Sequence, residues 1–398
     1  MRIAIVGAGI GGAGAGIALA RLGHEVTVYE QVRENRPVGA ALSLWPNAVK
    51  VVNWLGLGEE LAALGGRMER MAYRDGRTGE LLCDFSLAPV AEFTGEPAYP
   101  VVRADLQNLL WERLGPDRIR LGMRLTEVGQ ERDEAVAVFE GGERVTADLL
   151  IGADGARSIV RDFVAGPGIE RRYAGYTNFN GIVIADPGIG PGDTWTTYVA
   201  DGKRAAVMPV APRSDGAGRF YFFADVPQPA GLSYDRSEGA TPLRAAFDGW
   251  APGVRRLIDS IDPETSLNRV EIWDIDPFHT WAKGRVAILG DAAHNTSPDI
   301  GQGGGMALEG AFVLATALAA HHDDPAGALR RYQEVQSPRA AELVLRARKR
   351  ALETHAFDPA VTDAWYAGLR QETGENVIRG LVGNTLGSPI NLAAGALD

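Results

Sequence analysis

Apolar and polar positions divide the chain into three textures. The first alternates strand, loop and helix. Arg2-Ile-Ala-Ile-Val6 is a short apolar strand that breaks into Gly7-Ala-Gly9-Ile-Gly11-Gly12, and residues 13–22 continue as a helix rich in glycine and alanine. His24-Glu-Val-Thr-Val-Tyr-Glu30 is the next strand and ends on an acid. Residues 38–47 form a mixed loop leading into a helix over 48–55, and a further helix starts near Arg103. Residues 122–128 and 134–140 are strand-like, and Asp148-Leu-Leu-Ile-Gly152 is a buried strand running into an Asp154-Gly155 turn and a helix. In the second texture, from about residue 173 to 276, five β-like segments separated by Gly, Pro and Asp predict an antiparallel sheet, with one helical piece over 243–258. The third begins with a buried strand over 286–289, a Gly290-Asp291 turn, a polar loop and the cluster Gly301-Gln-Gly303-Gly304-Gly305. Helices follow over 306–321, 326–353 and, with breaks, 363–382.

Two of the glycine loops carry candidate chemistry. In a strand–loop–helix–strand unit Gly7 makes the tight turn, Gly9 lets a pyrophosphate reach the backbone, and Gly12 lets helix and strand pack closely. Glu30 would accept hydrogen bonds from ribose hydroxyls. Glycines opening the helix after residue 301 leave backbone N–H groups free at the positive end of its dipole, which suits a planar, partly anionic ligand; an ordinary connection is the other reading. Arg103, in the first turn of its helix, is unfavourable to the dipole unless an anion such as a phosphate pairs with it, and a solvated arginine is the alternative. On strand alternation Tyr221 and Phe223 share one face and Phe222 points away.

Composition narrows the class. With 398 residues, 45% apolar and 23% charged, the chain suits two domains or one elaborated α/β domain. A net charge of −11 argues against a nucleic-acid-binding surface. The longest apolar run, over 311–320, is about half the ~20 residues needed to cross a bilayer, so no membrane partner is expected. The N-terminus carries no signal-peptide pattern, and a lone Cys83 fits a reducing cytoplasm. Adjacent His321 and His322 diverge on a helix, and no Cys/His cluster has metal spacing.

Three motifs stand in order: Gly7 to Gly12 with Glu30, Gly152-Ala-Asp154-Gly155-Ala-Arg-Ser158, and Gly290-Asp291-Ala-Ala-His294 through Pro298 to Gly303. Together they resemble the single-component FAD-dependent aromatic hydroxylases, the para-hydroxybenzoate hydroxylase-like family, across essentially the whole chain. The resemblance implies an α/β fold: a Rossmann-like FAD-binding domain (1–75, 100–172 and 277–325), an inserted, mainly antiparallel β substrate domain (76–99 and 173–276), and a C-terminal helical segment (326–398). It puts FAD adenosine and pyrophosphate on Gly7, Gly9, Gly11, Gly12, Glu30 and Gln31, the ribityl-phosphate region on Asp291, and the ring against Gly301, Gln302, Gly303, Gly304 and Gly305. Ser43, Arg103, Leu125 and Asp154 join them as cofactor contacts, the Asp-Gly motif serving NAD(P)H as well.

Further stretches, including Pro37-Val-Gly-Ala-Ala, Arg172-Tyr-Ala-Gly-Tyr176, Gly202-Lys-Arg204 and Gly218-Arg-Phe-Tyr-Phe-Phe223, are similar to the urate-hydroxylating members of that family. That likeness implies urate contacts from Asn178, Arg204, Tyr221, Phe222 and Phe223, with Arg204 and Tyr221 assisting substrate activation. The implied reaction hydroxylates urate at C5 to 5-hydroxyisourate, using NADH (or NADPH) and O2 through a flavin C4a-hydroperoxide. The residue types suit it: a guanidinium offers a planar fork of donors to an anionic purine edge, and aromatic rings offer stacking walls. Arginine is a poor general base, so its expected part is to stabilise the substrate anion. The same chemistry on a phenolic acid or another heteroaromatic, an NAD-dependent dehydrogenase and a non-catalytic flavoprotein remain alternatives, and monomer and homodimer are both open. Gly305 and Gly310 depart from the family pattern, which has side-chain-bearing residues at both places.

Overall fold

The computed structural model describes residues 1–34, 40–262 and 267–391; Pro37, Val38 and Gly39 and the end of the tail lie outside these described residues. The first elements are β1 (Arg2–Val6), α1 (Ile10–Arg21), β2 (Glu25–Glu30), β3 (Ala41–Leu44), α2 (Pro46–Trp54) and α3 (Gly58–Leu64). Next come β4 (Arg70–Asp75), β5 (Leu81–Ser86), α4 (Ala88–Thr94), β6 (Tyr99–Val102), α5 (Arg103–Leu114), β7 (Ile119–Leu121) and β8 (Leu125–Glu131). β9 (Glu134–Phe139), β10 (Arg144–Ala147), β11 (Leu149–Gly152) and α6 (Ile159–Ala165) lead to β12 (Arg171–Ile184), β13 (Thr194–Ala200), β14 (Lys203–Val210) and β15 (Arg219–Pro227). After α7 (Thr241–Ala246), α8 (Pro252–Asp259), β16 (Asn268–Ile275), β17 (Ala282–Lys283), β18 (Val286–Ile288) and α9 (Asp291–His294) the chain closes with four helices. These are α10 (Gly303–Ala320), α11 (Pro325–Thr354), α12 (Pro359–Leu369) and α13 (Glu375–Leu386).

Six strands pair in the order β17-β18-β11-β1-β2-β7, all parallel except β17. The central runs of β1, β11 and β18 are apolar throughout because other elements cover them: α1 packs against β1 and β2, α6 against β11 and β18, and the three-stranded sheet β10-β9-β8 against β1 and β11. Register sets Val6 beside Gly152 and Gly152 beside Ile288, so the three strands end on one edge. The loops from Gly7, Ala153 and Leu289 therefore emerge side by side, at the carboxyl edge where open α/β sheets hold ligands. Motifs about 140 residues apart in the chain meet for this reason.

The predicted serial strands form a seven-stranded sheet, β16-β12-β15-β14-β13-β4-β5. Its pairs are antiparallel apart from β13 with β4. Residues 70–75, assigned from sequence to the nucleotide half, are β4 of this sheet: Met71 and Tyr73 bury themselves with Phe85, Met208 and Phe223. Strand alternation separates the two faces of β15. Phe220, Phe222 and Ala224 enter a core with Leu243 and Phe247 of the α7 region and Val254 and Leu257 of α8. Tyr221 and Phe223 pack on the opposite side.

α10 is apolar all round because α1, α2 and α11 pack against it. Its 18 residues make it longer than the 311–320 run singled out from sequence. By length and composition it could cross a membrane, yet 72% of it is buried inside the protein.

Candidate active site

A cleft of about 360 Å³ runs from the carboxyl edge of the parallel sheet to the face of the β12–β15 strands, and both kinds of predicted residue line it. At one end are Gly9, Gly11 and Gly12, with Ala153 and Gly155 beside them. A Cβ on Gly12 would overlap the Gly7 carbonyl oxygen, whereas a Cβ on Gly9 would meet nothing within 4 Å. Gly12 therefore serves packing, and Gly9 keeps backbone open to a ligand. α1 has neither a side-chain cap nor an acid in its first turn, and α10 likewise starts at Gly303 without a cap bond. Both helix N-termini thus offer unspent N–H groups and positive dipole ends to one cleft. Arg103 opens α5, and solvent-exposed Asp291 opens α9; both face the same space. Donors and cation for phosphates and an acid for ribityl hydroxyls make this a set that FAD fits.

The other end is a row of polar groups across three strands. Asn178 of β12 and Arg204 of β14 both stand directly opposite Asp225 of β15. Asn178 Nδ2 donates to Asp225 Oδ1 at 2.6 Å, and Arg204 Nε donates to Oδ2 of the same carboxylate. Arg204 Nη2 donates to Asp299 Oδ1 at 3.0 Å, while Tyr176 donates to the other oxygen of Asp299 at 2.7 Å. Two of the three guanidinium nitrogens are thus fixed by carboxylates, and Nη1 has no hydrogen bond to the described residues. The guanidinium also lies 5.2 Å from the Phe223 ring centre. Tyr221, Phe223, Trp195 and Met208 complete the walls around it.

Electrostatics fix the protonation of this end. Burial would weaken the Arg204 charge, but Asp225 and then Asp299 outweigh it and raise the guanidinium above its ordinary value. Burial would also raise Asp299; the opposing pull of Arg204, then His355 and Tyr176, holds its carboxyl well below the usual range. Burial first, and Asp225 second, push the Tyr221 phenol well above its ordinary value. Near neutral pH Arg204 is therefore a cation, Asp299 a carboxylate, and Tyr221 a hydroxyl donor.

The FAD binding domain family model matches residues 1–347. Over 402 residues, covering 100% of both chains, the protein is 54% identical to the FAD-dependent urate hydroxylase of Mycolicibacterium vanbaalenii. It is 48% identical over 390 residues to that of Klebsiella pneumoniae, covering 98% of this chain and 100% of the relative. The chain belongs to the FAD-dependent aromatic hydroxylases. Among solved structures of the family, the Klebsiella pneumoniae HpxO complex with FAD and uric acid superposes with a TM-score of 0.94 at 47% identity, covering 98% of each chain.

Within this hydroxylase framework the cleft takes up Gly9, Gly11, Gly12, Ser43, Arg103, Asp291, Gly301, Gly303 and Gly304 from the cofactor set and Asn178, Arg204, Tyr221 and Phe223 from the substrate set. The expected substrate contact from Phe222 is corrected: it is fully buried on the far face of β15. The Asp154 carboxylate is also turned away. It accepts from Ser158 Oγ at 2.5 Å and from the Ile159 and Val160 N–H groups, so it caps α6, and the neighbouring Ala153 and Gly155 line the cleft instead. Glu30 accepts from the Ala8 and Val32 N–H groups, which shapes the glycine loop and leaves lone pairs for a ribose. Gln31 and Leu125 lie outside the cleft lining, gathered near Glu30 because Met123 N–H donates to the Glu30 carbonyl and Arg124 to Gln31.

Gln302 and Gly305 also lie behind the lining. A Cβ on Gly305 would come within 3.2 Å of Asn47 Nδ2 and 3.1 Å of Gln302 Oε1. Asn47, reaching in from α2, donates to Gln302 at 2.9 Å and to buried Glu309 at 2.7 Å, so its amide fills the place left at 305. At Gly310 a Cβ would make only ordinary contacts with Leu289 and Tyr332 at 3.5 Å. Sequence reasoning missed Asp225, Asp299, Tyr176 and His355. For Asp225 a signal existed: it is one period-2 step beyond Phe223.

Proposed function

We propose that the protein is an FAD-dependent urate hydroxylase, converting urate, NADH (or NADPH), O2 and a proton to 5-hydroxyisourate, oxidised nicotinamide and water. The observation that carries this reading is Arg204, held by two buried carboxylates with Nη1 left for a ligand beside Tyr221 and Phe223. The full-length likeness to urate hydroxylases supports it. FAD, when bound, supplies the redox chemistry and the activation of O2.

The chain's own residues bind and orient. Gly9, the α1 N-terminus and Arg103 would hold the pyrophosphate; Asp291 would hold the ribityl hydroxyls. Arg204 offers Nη1 to a urate oxygen and stabilises negative charge on the purine as oxygen is transferred. Tyr221, kept protonated, donates a hydrogen bond that sets the angle of the purine, and Phe223 and Trp195 shield it from water. We also read the setting as cytoplasmic, in keeping with a single Cys83 that is buried and whose thiol burial pushes up to about 11, making it unreactive.

The test is oxygen uptake and NADH oxidation by the flavin-loaded protein, with and without urate, following 5-hydroxyisourate directly. Urate should stimulate both in step with product. Stimulation by a phenolic acid and not by urate would overturn the assignment.

A further inference from the structure

The polar row at the substrate end continues away from the cleft. Two residues on from Asn178, and so on the same face of β12, is Asn180, which is buried and lies outside the cleft lining. Register sets it between Phe223 of β15 and Asn268 of β16. An amide buried between strands is costly unless its groups are paired. Asn180 Nδ2 donates to Asn178 Oδ1 at 2.7 Å, and Asn178 Nδ2 donates to Asp225 Oδ1 at 2.6 Å.

The direction of the row is decided at Asp225. Its carboxylate, paired with Arg204, accepts through both oxygens, so the Asn178 atom turned to it must be the nitrogen. Turning that amide over would set its oxygen against the carboxylate. With the nitrogen on the Asp225 side, the oxygen is on the side of position 180, and only a donor satisfies it there. Asn180 supplies that donor. Asn178 is therefore held at both ends by groups of opposite demand. Among the described residues its Nδ2 donates to Asp225 alone, which leaves one N–H over, as Nη1 is left on Arg204. Asn178 and Arg204 line the cleft and flank Asp225 from its two neighbouring strands, while Asp225 itself is fully buried. The substrate end thus presents a donor on either side of one sunken carboxylate.

We propose that Asn180 is a positioning residue: it holds the Asn178 amide with its nitrogen towards Asp225, so that the ligand edge lying across Asp225 is one of hydrogen-bond acceptors, such as the carbonyl oxygens of a purine anion. The identity of the ligand rests on the urate reading; the hold of Asn180 on Asn178 does not. Asn180 acts through Asn178, so its effect on the ligand should vanish where Asn178 is absent.

The experiment is a double-variant cycle on the flavin-loaded protein. Asn180→Leu keeps the bulk and removes the donor; Asn180→Ala removes it without overfilling the space between the strands. Either should raise the urate KM about fivefold, the value of one neutral hydrogen bond, with kcat within about twofold of the parent and FAD retained. On an Asn178→Leu background the same change should move KM by less than about twofold, because the residue it acts through has gone. A KM unchanged by both single variants, or a rise that persists in full without Asn178, would overturn the proposal. Urea unfolding of the parent, the two single Leu variants and their double variant needs no substrate. The two changes should be coupled there by about fivefold in the unfolding constant, and strict additivity would overturn the hold itself. If the parent does not turn over urate, the function reading falls while the unfolding cycle still decides whether Asn180 holds Asn178.

Discussion

Asp225→Asn tests the cross-strand row most directly. The carboxylate is fully buried and accepts from Arg204 Nε through one oxygen and from Asn178 Nδ2 through the other. An amide of the same shape has a single acceptor oxygen, so one of the two donors must face an NH2 group. The variant therefore loses one charge-assisted hydrogen bond and leaves a buried donor unpaired, which costs about 1.5–3 kcal/mol. Asp299 still holds Nη2, so Arg204 stays in the cleft but can swing about that one anchor. If the orientation of Nη1 controls urate, the loss appears in kcat/KM as roughly a 10- to 150-fold drop. FAD content should be unchanged, because the Asp225 carboxylate is hydrogen-bonded to Asn178 and Arg204 at the other end of the cleft. The assay is steady-state NADH oxidation with varied urate, run beside the flavin absorbance of the purified variant. A kcat/KM within about twofold of the parent would show that the Asp225 anchor does not position Arg204, and the argument for the row would fail.

Four further outcomes follow from the same geometry. Gly9→Ala should leave the melting temperature of the flavin-free protein unchanged while weakening FAD binding at least about tenfold, since only a ligand can occupy the space its Cβ enters; Gly12→Ala should abolish folding, because its Cβ overlaps the Gly7 carbonyl. Tyr221→Phe should lower kcat/KM about fivefold, the value of one neutral hydrogen bond, and leave the alkaline limb of the rate profile where it was, since the buried phenol stays protonated there. Asp299 has a native carboxyl held below its unfolded value, so it contributes stability that is present above about pH 4 and lost as pH falls towards the native value; urea unfolding at pH 7 should show Asp299→Asn less stable than the parent, with the gap closing on acidification.

What the sequence revealed and what it hid follow from how far apart the cooperating residues are. Gly7, Gly9, Gly12 and Asp291 were legible because each answers a local demand of a turn or helix start, one that fixes the residue type where it stands. Asp154 shows the limit of that reasoning. Its Asp-Gly turn does lie on the cleft, but the carboxylate is spent on the three groups that follow it in the chain, Ser158, Ile159 and Val160. The substrate row required register across three strands, and nothing local states that Asn178, Asp225 and Arg204 stand opposite one another. Asp225 was half visible, since the alternation that correctly turned Phe222 away from Tyr221 and Phe223 carries Asp225 to their face two residues on. Asp299 was in view inside a glycine-rich motif, where it read as part of a loop, because its partners come from β12, β14 and the end of α11. His355 gave no signal, being one residue past a long helix with nothing around it in sequence that suggests a site. Its partners appear only once α11 closes against the turn at Gly202, so the part of the site behind Asp299 is the part that depends most on tertiary closure.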